Sequence, residues 1–165
     1  MASVRRYEPS DLEACRSLWV DLTEWHRQLY GDQSIGGDDP GRAFDTHLED
    51  VGPERIWVAE EDGRVIGLAG MVVGGGKVEL EPLSVRAGCR NAGIGRLLAE
   101  AVVAAARAEG ARQVVVRPTG RNAPAIRAFH ALGFDVISRA ELLCDLAGDR
   151  RWRGGEELAG RTFRV

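Results

Sequence analysis

The chain has 165 residues, 44% hydrophobic and 28% charged, which suits one globular domain with a buried core. A net charge of −3 and a pI near 5.7 argue against nonspecific nucleic-acid binding. The first ten residues, MASVRRYEPS, lack the apolar core of a signal peptide, and no apolar run reaches membrane-spanning length, so we expect no membrane partner.

The first half of the chain predicts a strand, two helices and an antiparallel meander of three strands. Ser10 and Glu13 have the spacing of a capping box, which opens the first helix. Asp39 can cap a second helix that Pro40 begins. An Asp-Gly pair at 62–63 is typical of a tight hairpin. In chain order the predicted elements are a strand at 3–7, a helix from 10 to about 30, a loop at 31–40, a helix through Phe44 and Leu48, and strands before 62, after 63 and, past the glycines at 74–76, at 77–85.

The second half predicts helices that alternate with strands. These elements are a helix at 94–109, a strand at 112–117, a helix at 123–132, and strands at 134–138 and 141–146. The element order indicates a mixed α/β fold, with a meander in front of a parallel crossover. Residues 1–146 form the predicted domain. The tail at 147–165 has no clear period, and an extra hairpin, a partner-binding segment and a frayed end all remain open.

The helix at 94–109 has a predicted core face that anchors its start. Apolar residues recur at helical spacing at Ile94, Leu97, Leu98, Ala101, Val102 and Ala105. Gly110 is placed to end the helix.

The segment RNAGIGRLLAE (90–100) carries two glycines between two arginines, between a predicted strand and a predicted helix. A P-loop is excluded because Ile94 and Gly95 stand where Lys and Ser/Thr are needed. A dinucleotide fingerprint is excluded because Leu98 takes the place of the third glycine. The remaining pattern, Arg-x-x-Gly-x-Gly, offers bare amides and positive charge to an anion at a helix start. An ordinary strand-to-helix turn can also contain two glycines.

With the meander and RNAPAIRAFHALGF (121–134), this loop resembles the GNAT superfamily of acyl-CoA-dependent N-acyltransferases, over about 3–146 and most strongly over 78–134. The resemblance implies a mixed, mostly antiparallel sheet flanked by helices, with a splayed pair of parallel strands holding acyl-CoA, and the expected cofactor is acetyl-CoA. It assigns the pyrophosphate of coenzyme A to the loop and the pantetheine arm to the preceding strand. The implied cofactor-binding residues are Leu83, Ser84, Val85, Arg90, Asn91, Ala92, Gly93, Ile94, Gly95, Arg96, Asn122, Ala125 and Phe129.

Pro82 interrupts the predicted strand at 77–85. A proline inside a central strand removes a backbone donor and is tolerated mainly at bulges. The resemblance implies such a bulge where the fourth strand splays from the fifth, and a free amide around Ser84 or Val85 is then the expected oxyanion donor. An ordinary edge strand is the alternative.

Glu79 and Glu81 are the candidate catalytic residues. Transfer to an amine needs a base, because an alkylammonium with a pKa of about 10.4 is neutral in only about one part in 2,500 at pH 7. The two carboxylates alternate on the strand and so share a face. Family members often carry a carboxylate at one of these positions, which favours Glu79 as the base and Glu81 as the group that orients the amine or water. Two solvated strand carboxylates would show the same alternation.

Phe129 departs from the family pattern Asn…Ala…Tyr…Gly-Phe, which the segment otherwise matches at Asn122, Ala125, Gly133 and Phe134. The family tyrosine lies close to the sulfur and can return a proton to the leaving thiolate, an effect worth roughly a hundredfold or more. Without it, water or another hydroxyl substitutes, the enzyme is slow, or the chain is a non-catalytic acyl-CoA-binding or regulatory module. Asn122 also has the place of a helix cap.

The cysteines indicate the compartment. Cys15, Cys89 and Cys144 have neither a disulfide framework nor metal-ligand spacing, so we expect no metal site and a reducing, cytoplasmic location. Cys89 lies beside the loop but has no evident His or Asp partner, and we interpret it as a bystander. His130 follows Phe129 by one helical residue and is predicted to be exposed.

The acceptor is predicted to bind the first two helices. Residues 11–50 carry ten carboxylates and three arginines, a net charge of −7, which would attract a cationic small-molecule amine. Trp25, His26 and Tyr30, with Glu79, are the predicted substrate-binding residues. A solvated acidic face is the alternative. Family members often dimerise through the C-terminal end of the sheet, so the resemblance admits a homodimer, and the sequence leaves the oligomeric state open.

Overall fold

The computed structural model of the chain describes residues 1–146, 148, 152 and 154–165. They fall into two compact units, Met1–Arg117 and Pro118–Val165. The helices and strands of the first unit are β1 (Ser3–Arg6), α1 (Leu12–Tyr30), α2 (Arg42–Val51), β2 (Ile56–Glu61), β3 (Arg64–Gly74), β4 (Lys77–Val85), α3 (Ile94–Ala108) and β5 (Val114–Val115).

The first unit is built on a five-stranded sheet of order β1-β2-β3-β4-β5. Neighbouring strands are antiparallel except for β4 and β5, which are parallel. The predicted hairpin at Asp62–Gly63 joins β2 to β3, and both residues have the left-handed φ that such a two-residue turn requires. The predicted mixed, mostly antiparallel sheet is therefore confirmed.

Helices cover both faces of this sheet. Gly67 and Gly70 are three residues apart on β3, so their missing side chains would point to opposite faces. A methyl group on Gly67 would meet Leu98 of α3, whereas one on Gly70 would meet His47 of α2. The core between α1, α2 and the sheet contains Tyr7, Cys15, Leu18, Phe44, Val51, Ile56, Val58 and Leu68.

The core face of α3 is narrower than the sequence predicts. Ile94, Leu98 and Val102 are buried as expected, and Ala99 and Ala106 join them. Leu97 is 41% exposed, so its place in the predicted core face is wrong. Ile94, Leu98, Val102 and Ala106 form an i, i+4 row. Ala99 lies one helical step, about 100°, to one side of this row, and Leu97 lies one step to the other side.

Two predicted helix starts are displaced. A 3-10 turn at Pro9–Asp11 precedes α1, and the capping carboxylate is that of Asp11, which accepts the Glu8 N–H at 2.8 Å. The predicted Ser10–Glu13 box is therefore wrong. The second helix begins at Arg42, two residues past Pro40, and Gly41 is its N-cap. The backbone hydrogen bonds around Pro40 join residues that are three apart, as in a 3-10 turn, rather than four apart as in an α-helix.

A bulge interrupts the pairing of β3 with β4. Ala69 pairs with Leu83 and Met71 with Leu80, so Glu81 and Pro82 together oppose the single residue Gly70. The predicted bulge at Pro82 is confirmed. Glycine is required opposite it, because a methyl group on Gly70 would lie 2.4 Å from the Glu81 carbonyl oxygen and 2.8 Å from His47 Nε2.

We expect Gly70→Ala to lower the free energy of unfolding by about 3 kcal/mol, since backbone atoms of the bulge would have to move. Gly74→Ala is the matched control on the same strand, because a methyl group there meets nothing within 4 Å. Urea unfolding of both variants measures the difference. Equal midpoints for the two would contradict the close approach at the bulge.

The second unit contains α4 (Ala123–Ala131) and a two-stranded hairpin of β6 (Gly155–Leu158) and β7 (Arg161–Arg164). Among the alternatives left open for the tail, the extra hairpin is the one observed. The predicted domain boundary at 146 stays a prediction.

Three predicted strands in the second half are wrong or shortened. Residues 134–138 and 141–146 form no strand, and the strand predicted at 112–117 is reduced to Val114–Val115. These segments have apolar, β-forming composition, but a strand also needs a neighbour to pair with its backbone.

No helix among the described residues is long and apolar enough to cross a membrane.

Candidate active site

The parallel strands β4 and β5 separate soon after they meet. Their pairing covers only Val78 with Val114 and Glu79 with Val115. β4 continues to Val85, whereas β5 ends at Val115. Among the residues of Met1–Arg117, β4 therefore has an open backbone edge on the side of β5 from residue 80 onward.

The open edge of β4 presents two amides. The Arg86 N–H donates to the Ile66 carbonyl of β3 at 3.0 Å, which shows which amides at this end of β4 face β3. By strand alternation the Ser84 amide faces β3, while the amides of Leu83 and Val85 face the open edge. Of the two residues expected to supply the oxyanion donor, Val85 has the suitable orientation. The Ser84 hydroxyl is also engaged, because it donates to the Leu18 carbonyl at 3.1 Å and is buried.

The glycine loop leads directly into α3. Gly93 is the N-cap of that helix, with a left-handed φ of 83°, and a glycine has no side chain with which to cap the helix start. The Leu97 N–H donates to the Gly93 carbonyl, which is the first hydrogen bond of the helix. The amides that come before Leu97 in the first turn therefore have no carbonyl of the helix to donate to. The first turn contains no acidic side chain. Uncapped donors at the positive end of a helix dipole suit an anionic group.

Gly95 is a glycine that the fold itself does not require. Among the described residues, a methyl group there would contact only Val85, at 3.9 Å, and the backbone of Gly95 is helical. Glycine inside a helix costs about 1 kcal/mol relative to Ala. A glycine at this position leaves room beside the amides of the first turn.

The two loop arginines have different surroundings. Arg90 Nε donates to the Val85 carbonyl at 3.0 Å, and its guanidinium lies 5.8 Å from the ring centroid of Trp25. Arg96 is exposed and lies 3.7 Å from Glu100, a pairing of small energy at the surface. Trp25, predicted to bind the acceptor, is thus brought next to a residue predicted to bind the cofactor.

Glu79 and Glu81 have unlike environments. The side chain of Glu79 is 10% exposed and forms an ion pair with Arg117, whereas Glu81 is exposed in the bulge. Glu79 is also the last residue of β4 that pairs with β5, so it lies where the two strands begin to separate. Sequence reasoning missed Arg117, because nothing in the local pattern relates it to a residue 38 positions earlier.

The acidic segment at 11–50 is partly neutralised. Among the described residues, at least five of its ten carboxylates have arginine partners, which are the pairs Asp11–Arg5, Glu13–Arg16, Asp45–Arg16, Glu24–Arg27 and Asp21–Arg86. Arg5 and Arg86 lie outside the segment, so counting charges within it overstates the negative potential that solvent meets.

The remaining predicted substrate residues lie on α1. His26 and Tyr30 are half-buried, as is Trp25. Burial lowers the pKa of His26 below its usual range, so its imidazole is neutral at pH 7.

His47 on α2 was not predicted. Its Nε2 is buried without a hydrogen-bond partner among the described residues, and its ring centroid lies 5.1 Å from that of Trp19. Burial lowers its pKa, a shift that Asp50 opposes. No sequence pattern marked it, since a lone histidine on a helix carries no spacing signal.

We expect the free energy of unfolding to fall as the pH drops from 7.5 to 5.5. The native pKa values of His26 and His47 lie below the ordinary 6.5, so the unfolded chain binds more protons in this range. The loss sets in around the unfolded pKa of 6.5, grows as the pH falls further, and is small at pH 7.5. Asp11 and Asp45, whose pKa values are lowered by arginine partners, add a further loss only below about 3.8.

Urea unfolding at the two pH values measures this effect. His47→Gln should reduce the loss on acidification, while His130→Gln, at an exposed position, should leave it unchanged. Equal stability of the wild-type chain at pH 5.5 and 7.5 would contradict the prediction.

In the second unit, Asn122 is buried and caps α4 as predicted, accepting the Ala125 N–H at 3.3 Å. Phe129 is half-buried, and its ring lies edge-on to Phe134 with centroids 5.7 Å apart. His130 is exposed, as predicted. The predicted cofactor contacts of Asn122, Ala125 and Phe129 stay predictions.

The model of the acetyltransferase (GNAT) family matches residues 19–134, which is more than half of the chain. The chain belongs to this family. Members of the GNAT family are acetyltransferases that use acetyl-CoA as co-substrate. No curated protein matches the chain in sequence.

Solved GNAT structures share the fold. A GNAT acetyltransferase from Staphylococcus aureus is 14% identical, with a TM-score of 0.67 over 81% of this chain and 84% of its own. AAC(6')-Iy, solved with the bisubstrate analogue CoA-S-monomethyl-acetylneamine, is 22% identical, with a TM-score of 0.64 over 88% and 98%. The ribosomal-protein-S18-alanine N-acetyltransferase from Escherichia coli is 20% identical, with a TM-score of 0.59 over 81% and 77%. At identities of 14–22%, these structures show the fold of this GNAT chain and not its substrate.

Proposed function

We propose that this GNAT chain transfers the acetyl group of acetyl-CoA to a primary amine by direct attack of the amine. The observation that carries the proposal is the uncapped, glycine-bearing start of α3, beside the open edge of β4. An anion site and an extended-chain site thus adjoin, as a diphosphate joined to a pantetheine arm requires.

The residues of the first unit fit this donor. The amides of 93–96 would hold the pyrophosphate, with Arg96 exposed beside them. The open edge of β4 would pair with the pantetheine amides, and the Val85 amide would donate to the developing oxyanion. Acetyl-CoA itself supplies an activated thioester. Arg90 supports the loop, since it donates to the Val85 carbonyl and its guanidinium lies over the Trp25 ring at 5.8 Å from the centroid.

Glu79 is the proposed base, with Glu81 orienting the amine or water. Its burial and its position at the start of the split support this assignment. A carboxylate there can accept the proton that the ammonium must lose before it attacks, which offsets a cost of about 4.6 kcal/mol at pH 7.

The proposed acceptor is a cationic small molecule that binds near Trp25, His26 and Tyr30. The acidic segment supports this, although five of its carboxylates are paired with arginine. AAC(6')-Iy binds a conjugate of coenzyme A with acetylneamine, and the Escherichia coli enzyme acetylates an alanine of a ribosomal protein, so GNAT proteins act on both small-molecule and protein amines.

Two measurements test the function. Calorimetry should show heat on mixing the chain with acetyl-CoA or coenzyme A, and thiol release should follow addition of primary amines from a panel of cationic, neutral and anionic compounds. No heat with any coenzyme A species would overturn the proposal. Turnover of neutral or anionic amines alone would overturn the cationic acceptor.

A non-catalytic acyl-CoA-binding or regulatory module is the second candidate, favoured by Phe129 in place of tyrosine. Phe129 packs against Phe134 and offers no hydroxyl. Heat with acetyl-CoA but no thiol release with any amine would support this alternative.

Cytoplasmic location and a homodimer are also proposals. The three cysteines are free, which supports a reducing compartment. Light scattering of the purified chain tests the dimer.

A further inference from the structure

We propose that the Arg117 guanidinium occupies the place at Glu79 that the ammonium group of the acceptor takes up during the reaction. The inference rests on the proposed function of Glu79 as the base. In this view Arg117 is an internal competitor that sets the affinity for cationic acceptors.

The first support is the position of the pair. Glu79 pairs with Val115 at the last step before β4 and β5 separate, and Arg117 follows Val115 by two residues. The ion pair between Glu79 and Arg117 therefore joins β4 to the segment that follows β5, at the point where the strand pairing ends.

The second support is the unequal exposure of the two partners. The Glu79 side chain is 10% exposed and the Arg117 side chain 60% exposed. A largely buried carboxylate needs a cation, because an uncompensated buried charge is costly. The guanidinium is mostly in water already and loses little when released. Glu79 can thus change its cation without being left unpaired, provided that the second cation arrives from the same side.

The exchange selects for charge. An amine in its cationic form can replace Arg117 at Glu79 and place its proton next to the carboxylate. An anionic acceptor would instead be repelled by that carboxylate. A guanidinium that positioned Glu79 for catalysis would instead have to remain bound during turnover. The two roles differ in which kinetic constant they affect.

Arg117→Gln separates these roles. With an amine that the wild-type chain acetylates, we expect the KM for the amine to fall roughly three- to tenfold, so that kcat/KM rises. Arg112→Gln is the charge-matched control, because Arg112 is exposed and precedes β5 at its other end, and its KM should equal that of the wild type. Arg117→Lys, which retains a cation, should fall between wild type and Arg117→Gln.

A lower kcat with unchanged KM in Arg117→Gln would overturn the proposal in favour of a positioning role. An unchanged KM and kcat, or the same change in Arg112→Gln, would overturn it too. If the wild-type chain acetylates no amine, the proposed function fails, but the exchange can still be measured. The amine should raise the Tm of Arg117→Gln, with coenzyme A present, more than it raises that of the wild type, and equal shifts would overturn the exchange itself.

Discussion

Glu79→Gln should lower kcat for amine acetylation by about a hundredfold or more, while the Kd for acetyl-CoA changes by less than about twofold. Glutamine keeps the size of the side chain but cannot accept the proton of the ammonium. Its effect on the free energy of unfolding should be small, because the released Arg117 side chain is 60% exposed. Steady-state kinetics, calorimetry and urea unfolding measure the three quantities.

Glu81→Gln is the matched control for this prediction. Glu81 is exposed in the bulge and should cost much less in kcat than Glu79. Activity close to that of the wild type in both variants would refute the assignment of the base. A large loss of kcat in Glu81→Gln alone would show that Glu81 is the base and Glu79 the orienting group.

Gly95→Asp should weaken acetyl-CoA binding by about a hundredfold while leaving the chain as stable as the wild type, or more stable by up to about 1 kcal/mol. The affinity for acetyl-CoA and the stability of the chain change in opposite directions because the new carboxylate lies at the helix start in both cases. A carboxylate in the first turn of α3 interacts favourably with the helix dipole and removes a glycine from the helix, but it repels a diphosphate at the same amides. In the part of the chain that the structure describes, only Val85 lies within 4 Å of the new Cβ, so the fold has room for this atom.

Gly95→Ala separates size from charge at this position. We expect a smaller loss of affinity, about tenfold, with a similar gain in stability. Calorimetry with coenzyme A and thermal unfolding of both variants give the two readouts. Unchanged affinity in Gly95→Asp would show that the diphosphate binds elsewhere, whereas a loss of stability would show that Gly95 serves the fold.

Local signals in the sequence were sufficient for much of the fold. Asp62–Gly63 predicts the hairpin because few residue pairs tolerate its backbone angles, and Asn122 predicts the start of α4 because its side chain can accept a helix amide. Pro82 predicts the bulge because it cannot donate to a neighbouring strand. Each of these rests on one residue and its immediate neighbours.

The failures concern properties that depend on a partner. Apolar composition predicts strands at 134–138 and 141–146, yet those residues form none, because a strand exists only where another backbone pairs with it. Charge counting over 11–50 predicts a stronger negative potential than the fold leaves, since Arg5 and Arg86 come from outside that segment.

For the candidate site, the sequence by itself determined the glycine loop, the bulge and the pair of glutamates, because each is written within a few consecutive residues. Only the tertiary structure decided that Glu79 is buried and Glu81 exposed, that Arg117 is the cation at Glu79, and that Arg90 rests on Trp25. These contacts join residues far apart in the chain, and the parallel pairing of β4 with β5, rather than any local pattern, brings Glu79 and Arg117 together.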